Sequence, residues 1–137
     1  MTSRPAAVRR NRTGPLLLGG VLAASTVLVA WWDPHQGGPV LCPLLALTGW
    51  YCPTCGGLRT VHDLATGDLA GAWAMNPMLT IGLPVLGLLW ARWLWRSWRN
   101  LPPRDPPAWL FLTIGAAMVV FAVARNIPVL HGFLGPA

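Results

Sequence analysis

All three cysteines of the chain, Cys42, Cys52 and Cys55, and two of its three histidines, His35 and His62, fall between Asp33 and Asn76. The segment Cys52-Pro53-Thr54-Cys55-Gly56 is a turn of the kind that puts two thiolates on one cation, because the glycine frees the backbone and successive amides can bond to the sulfurs. A closed zinc site takes four ligands, and Cys42, Cys52, Cys55 and His62 would supply three sulfurs and one nitrogen, with Asp63 or His35 as substitutes for His62. The odd number of cysteines suits this, since none is left over. Strong zinc signatures carry two such turns, and here there is one plus a distant Cys-Pro. A second chemistry is thiol–disulfide exchange. A Cys-x-x-Cys pair at a helix start has its thiolate favoured by the helix dipole, and Arg59 one turn along would depress the Cys55 pKa further, with Cys42 as a resolving thiol. A third reading is a plain disulfide tying the loop together, which leaves one cysteine unpaired or joined to a second chain.

Other chemistry is scarce. The 10 basic residues are all Arg and the 4 acidic residues all Asp, so lysine Schiff bases and phosphate-loop lysines are excluded. Four Asp and three His remain as conventional general bases. The net charge of +6 would suggest nucleic acid in a soluble chain, but these arginines bracket apolar runs instead of lining a solvated face, so no nucleic-acid partner is expected. Only 10% of residues are charged against about a quarter in typical globular chains, and the apolar residues gather in blocks, which makes lipid part of the solvent.

Three of those blocks are long enough to cross a bilayer. The first, Pro15 to Trp32, carries no charge and follows Arg4, Arg9, Arg10 and Arg12. A cleaved signal peptide is the rival reading, but Leu28-Val29-Ala30 has Leu where a small residue is wanted, and Trp31-Trp32 reads as an interfacial anchor. The second opens at Asn76-Pro77, a capping residue with proline at the first helical position, and runs to Trp98. Pro84, between Gly82 and Gly87, is expected to kink it or admit a close neighbour. The third repeats the opening signal at Asp105-Pro106 and stops at Arg125-Asn126.

Arginine bias sets the direction. The N-terminal cluster and Arg92, Arg96, Arg99 and Arg104 belong on the cytoplasmic side, so the Cys loop and the tail with His131, expected to be simply solvated, lie outside. In the loop, the apolar stretch Leu41 to Tyr51 is too short to cross and should lie against the membrane. A helix is expected from near Cys55 to Gly67, placing Cys55, Arg59 and His62 on one face, with Asp68 capping a further short helix that carries Trp73. The expected architecture is an all-α integral membrane protein. It has a cytoplasmic basic tail at 1–14, one membrane domain at 15–137 with spans near 15–32, 77–98 and 107–125, and an extracytoplasmic loop at 33–76 bearing one or two short helices.

Cys42-Pro43, Thr48-Gly49, Cys52-Pro53-Thr54-Cys55-Gly56 and Arg59, continued by Gly67-Asp68, Asn76-Pro77 and Arg125-Asn126, resemble the domain-of-unknown-function family 2752 (DUF2752) of small bacterial membrane proteins. The resemblance runs from about residue 15 onward and implies a multi-pass membrane protein, without an activity, substrate or cofactor; the inner or plasma membrane is the expected location. The residues themselves favour a non-enzymatic membrane component that holds zinc or is cross-linked, in contact with the bilayer and with a partner membrane protein or a second copy. The competing class is a membrane oxidoreductase using Cys52 and Cys55. Arg59 and Arg125 are expected to hold the loop against the last span by bonding to loop carbonyls, Asp63, Asp68 or lipid phosphate.

Overall fold

The computed structural model describes residues 13–37, 42–102 and 106–134, and among these there is helix and no strand. Seven α-helices follow in order: α1 (Thr13–Trp31), α2 (Pro43–Thr48), α3 (Gly57–Thr66), α4 (Leu69–Met75), α5 (Pro77–Trp98), α6 (Ala108–Arg125) and α7 (His131–Leu134), with one 3-10 turn at Pro34–Gln36. Helices α1, α5 and α6 are long and apolar enough to cross a membrane, in the places the hydropathy pattern marks. The N-terminal arginines, Asp105 and the His131 side chain lie outside what is described. The third span opens after Pro107, which makes no side-chain cap bond, two residues beyond the expected cap.

Burial is inverted relative to a water-soluble domain. Leu, Val, Ile, Phe and Trp side chains along α1, α5 and α6 are exposed, while the largest fully buried side chains are Arg125, Asn76, Thr60 and Pro15. In a bilayer this is the economical arrangement, because apolar faces lose nothing against acyl chains and polar groups need partners inside the protein. Helices α1 and α5 pack together. A Cβ at Gly19 would run into the Trp90 ring, whose indole Nε1 donates to the Pro15 carbonyl at 3.0 Å. The glycine lets the ring lie on the α1 backbone. By contrast α5 continues through Pro84, and at Gly82 and Gly87 an added Cβ would meet nothing within 4 Å, so the expected close neighbour is not at those positions.

Helices α3 and α4 fill the end of the bundle between the C-terminal end of α1 and the start of α5. Their boundaries follow local chemistry. Gly67 takes a left-handed φ of 87° and ends α3, and the Asp68 carboxylate accepts from Gly71 N at 2.9 Å to start α4. Asn76 caps α5 through Leu79 N at 3.0 Å, with Pro77 at the first helical position. The apolar stretch after Leu41 forms the short, largely exposed α2, and its N-cap is Cys42, whose Sγ accepts from Leu45 N at 3.4 Å.

Candidate metal centre

The cysteine turn is held from three directions by side chains that bond to its backbone. Asn126 pairs with Tyr51, accepting from its N–H and donating to its carbonyl, both at 2.9 Å. Asn76 Nδ2 donates to the Pro53 carbonyl at 2.9 Å and the Cys55 carbonyl at 3.1 Å. Arg125 Nη1 donates to the carbonyls of Cys52 at 3.3 Å and Cys55 at 3.0 Å, and Nη2 to that of Met75 at 3.0 Å. The guanidinium is fully buried over the Phe121 ring, 5.2 Å from its centroid. The forked donor geometry of arginine suits a set of diverging carbonyls. It ties the last turn of α6 to both the cysteine turn and the end of α4.

Gly56 makes this close approach possible. It sits at φ 79°, a left-handed conformation that costs a side chain energy, and a Cβ there would stand 2.9 Å from the Met75 carbonyl oxygen that Arg125 binds. This glycine also takes Cys55 out of helical register, because α3 begins only at Gly57.

The turn brings together Cys42, Cys52 and Cys55, whose sulfurs all lie within 4.8 Å of one another. Cys52 Sγ is 3.1 Å from Cys55 Sγ and 3.3 Å from the Thr54 hydroxyl, and Cys52 N–H donates to Cys55 Sγ at 3.3 Å. All three are free thiols, with Cys55 buried and the other two half-buried. Zinc–sulfur bonds of about 2.3 Å in a tetrahedron need sulfurs roughly 3.8 Å apart, which this cluster accommodates. Among the described residues no fourth Cys, His or carboxylate joins it.

The two thiols of the turn differ. Burial works against the Cys52 thiolate, but hydrogen bonds from the Thr54 hydroxyl, Cys55, Cys42 and the Thr54 backbone outweigh it and bring its pKa down to about 7. Burial pushes Cys55 up to about 12, helped by the neighbouring Cys52 and Cys42 sulfurs and only partly offset by the Cys52 amide. The expected depression of Cys55 by Arg59 is therefore not what the structure shows.

Arg59 and His62 point elsewhere. Arg59 Nε donates to the Pro34 carbonyl at 3.4 Å, tying α3 to the segment after α1 and not to the last span. His62 Nδ1 donates to the Val29 carbonyl at 3.1 Å and its Nε2 lies 3.7 Å from Asp33 Oδ1. His35 Nε2 meets Asp63 Oδ1 at 2.7 Å, and the two imidazoles contact edge to face with centroids 5.8 Å apart. These crossed His and Asp pairs form a clasp between α3 and the end of α1. They take His62, His35 and Asp63 away from the sulfurs, so the structure gathers three of the four expected ligands and leaves out the nitrogen. No local pattern announces the clasp, although Asp33-x-His35 and His62-Asp63 are complementary pairs. Thr54, whose hydroxyl stands in the variable place of Cys-Pro-x-Cys, is the sequence signal that marks Cys52 as the acidic thiol.

A chain with three membrane-length helices and a thiol cluster at one end of them is the class this geometry defines. Within it, residues 42–90 match the model of the family described as "Protein of unknown function (DUF2752)", a match that takes in the three cysteines, α2 to α4 and the first part of α5. Arg125 and Asn126 lie beyond the matched residues and complete the same site from α6. No curated protein and no solved structure matches the chain.

Proposed function

We propose that this is a multi-pass protein of the inner or plasma membrane that holds a zinc ion at its outer face through Cys42, Cys52 and Cys55. The observation that carries the reading is the convergence of all three sulfurs from two separate segments within 4.8 Å. A dithiol pair needs only the turn, whereas the backbone around Cys42 is also shaped to place its sulfur there, as the N-cap of α2. Three protein ligands leave the fourth tetrahedral position for water or an incoming group, the pattern of open sites, whereas a purely structural site is closed by four. The arginines at the far end of α5, Arg92, Arg96 and Arg99, support a cytoplasmic location for that end and so an outward-facing cluster. No step of catalysis is assigned to the centre, and the bilayer and a second membrane chain are its proposed surroundings.

One observation favours the alternative of a membrane thiol–disulfide oxidoreductase. Cys52 is half-buried with its pKa brought to about 7, beside a buried Cys55 pushed up to about 12, the asymmetry expected of an attacking thiol and its buried partner. The two readings separate on purified protein. Zinc bound with thiols protected from alkylation until chelation supports the first, and a readily reduced Cys52–Cys55 disulfide in zinc-free protein supports the second.

A further inference from the structure

Arg125 is fully buried, and among the described residues no carboxylate bonds it. Its bonded partners are the neutral carbonyls of Cys52, Cys55 and Met75, and its Nε has no partner. An arginine stays charged in proteins, and a buried charge without a counter-charge is costly. The ionisable groups within its field are Cys55, Cys52 and Tyr51. An amide can also serve neutral carbonyls here, as Asn76 does for those of Pro53 and Cys55. The extra feature of arginine is the charge.

We infer that Arg125 is the fixed counter-charge of the cysteine centre, which holds its ion as an anionic tris-thiolate; this rests on the metal reading above. Three thiols bind a divalent zinc ion with release of three protons to solvent, and the resulting complex carries one net negative charge, which the single guanidinium charge offsets. No electron moves, and the three new bonds are zinc–sulfur bonds. Arg125 is thus a positioning and charge-balancing residue that does not touch the ion. Its placement on α6 makes the last span part of the site, although the sulfurs all come from the loop.

Two variants of the full-length protein in detergent separate charge from contact. Arg125→Lys keeps the charge and loses the fork, while Arg125→Gln keeps donors and loses the charge. With zinc chloride as the probe, the expected result is that Arg125→Gln binds zinc at least about tenfold more weakly, with Arg125→Lys within about threefold of wild type even where its melting temperature falls. The same proteins freed of metal and alkylated across pH 5 to 9 should show the reactive thiol appearing at higher pH in Arg125→Gln only. If wild type binds no zinc but this shift is present, the metal reading falls and the counter-charge stands for thiolates alone. Equal alkylation profiles in all three proteins, zinc affinity lost equally in both variants, or failure of both to fold would assign Arg125 to holding the turn and overturn the inference.

Discussion

Arg125 and Asn76, 49 positions apart in the chain, donate to the same acceptor, the carbonyl of Cys55, at 3.0 and 3.1 Å. Both side chains are fully buried, and each reaches a second carbonyl, Cys52 for Arg125 and Pro53 for Asn76. The cysteine turn is thereby fixed through its backbone, which leaves its sulfurs free for other partners. Asn76→Leu should remove the α5 cap and two carbonyl bonds together, a loss of about 2–4 kcal/mol seen as a lower melting temperature in detergent. An unchanged melting temperature would show that the turn is held by Arg125 and Asn126 alone.

Gly56→Ala should be worse tolerated than its small size suggests. The left-handed φ of 79° and the Met75 carbonyl 2.9 Å from the new Cβ both oppose it. The expected outcome is loss of about 1–3 kcal/mol with faster alkylation of Cys55, read by thermal unfolding and thiol mass labelling. The control is Gly82→Ala, where the added methyl meets nothing and should leave both measurements unchanged.

The sequence makes α5 and α4 readable because their caps are local. Asn76-Pro77 and Asp68 announce helix starts by residue type alone, and the structure places the caps there. Cys42-Pro43 has the same form as Asn76-Pro77, yet its capping role is hidden by the expectation that a cysteine is a ligand or half a disulfide. His62 is placed away from the sulfurs for a different reason. Spacing of Cys55, Arg59 and His62 at i, i+4 and i+7 implies a shared face only if all three lie in one helix, and Gly56 turns the chain left-handed just before α3 begins. His62 then meets Val29 and Asp33, partners from α1 and the residues just after it that no local pattern could specify. Arg125 lies 70 positions from Cys55, so its bond to that carbonyl depends on how the spans assemble.

In metal-free protein the Cys52 and Cys55 shifts give stability a maximum in pH. Cys52, lowered from 9.0 to about 7, stays ionised in the fold where the unfolded chain is protonated, so its contribution is present above pH 9 and fades as pH falls towards 7. Cys55, raised from 9.0 to about 12, acts oppositely, contributing fully below pH 9 and losing its contribution as pH rises towards 12. Stability should therefore climb from pH 7 to about 9 and decline beyond it, as thermal melts across that range would show. Cys52→Ser should abolish the climb; a climb that survives it would place its origin in another group.

His62→Ala should leave zinc stoichiometry unchanged, because His62 bonds Val29 and faces Asp33, outside the sulfur cluster. It should instead loosen the end of α1, measured as faster amide hydrogen exchange at Val29 to Trp32. Loss of bound zinc in this variant, with the fold intact, would restore His62 as a fourth ligand.

Whether the three sulfurs hold one metal ion is read from elemental analysis of chelator-free purified protein, alongside counting of alkylatable thiols before and after chelation. About one zinc per chain is expected, with Cys42, Cys52 and Cys55 protected until the metal is stripped and the ion lost in each single Cys→Ser variant. Protein without metal whose three thiols alkylate freely in the native state would contradict it.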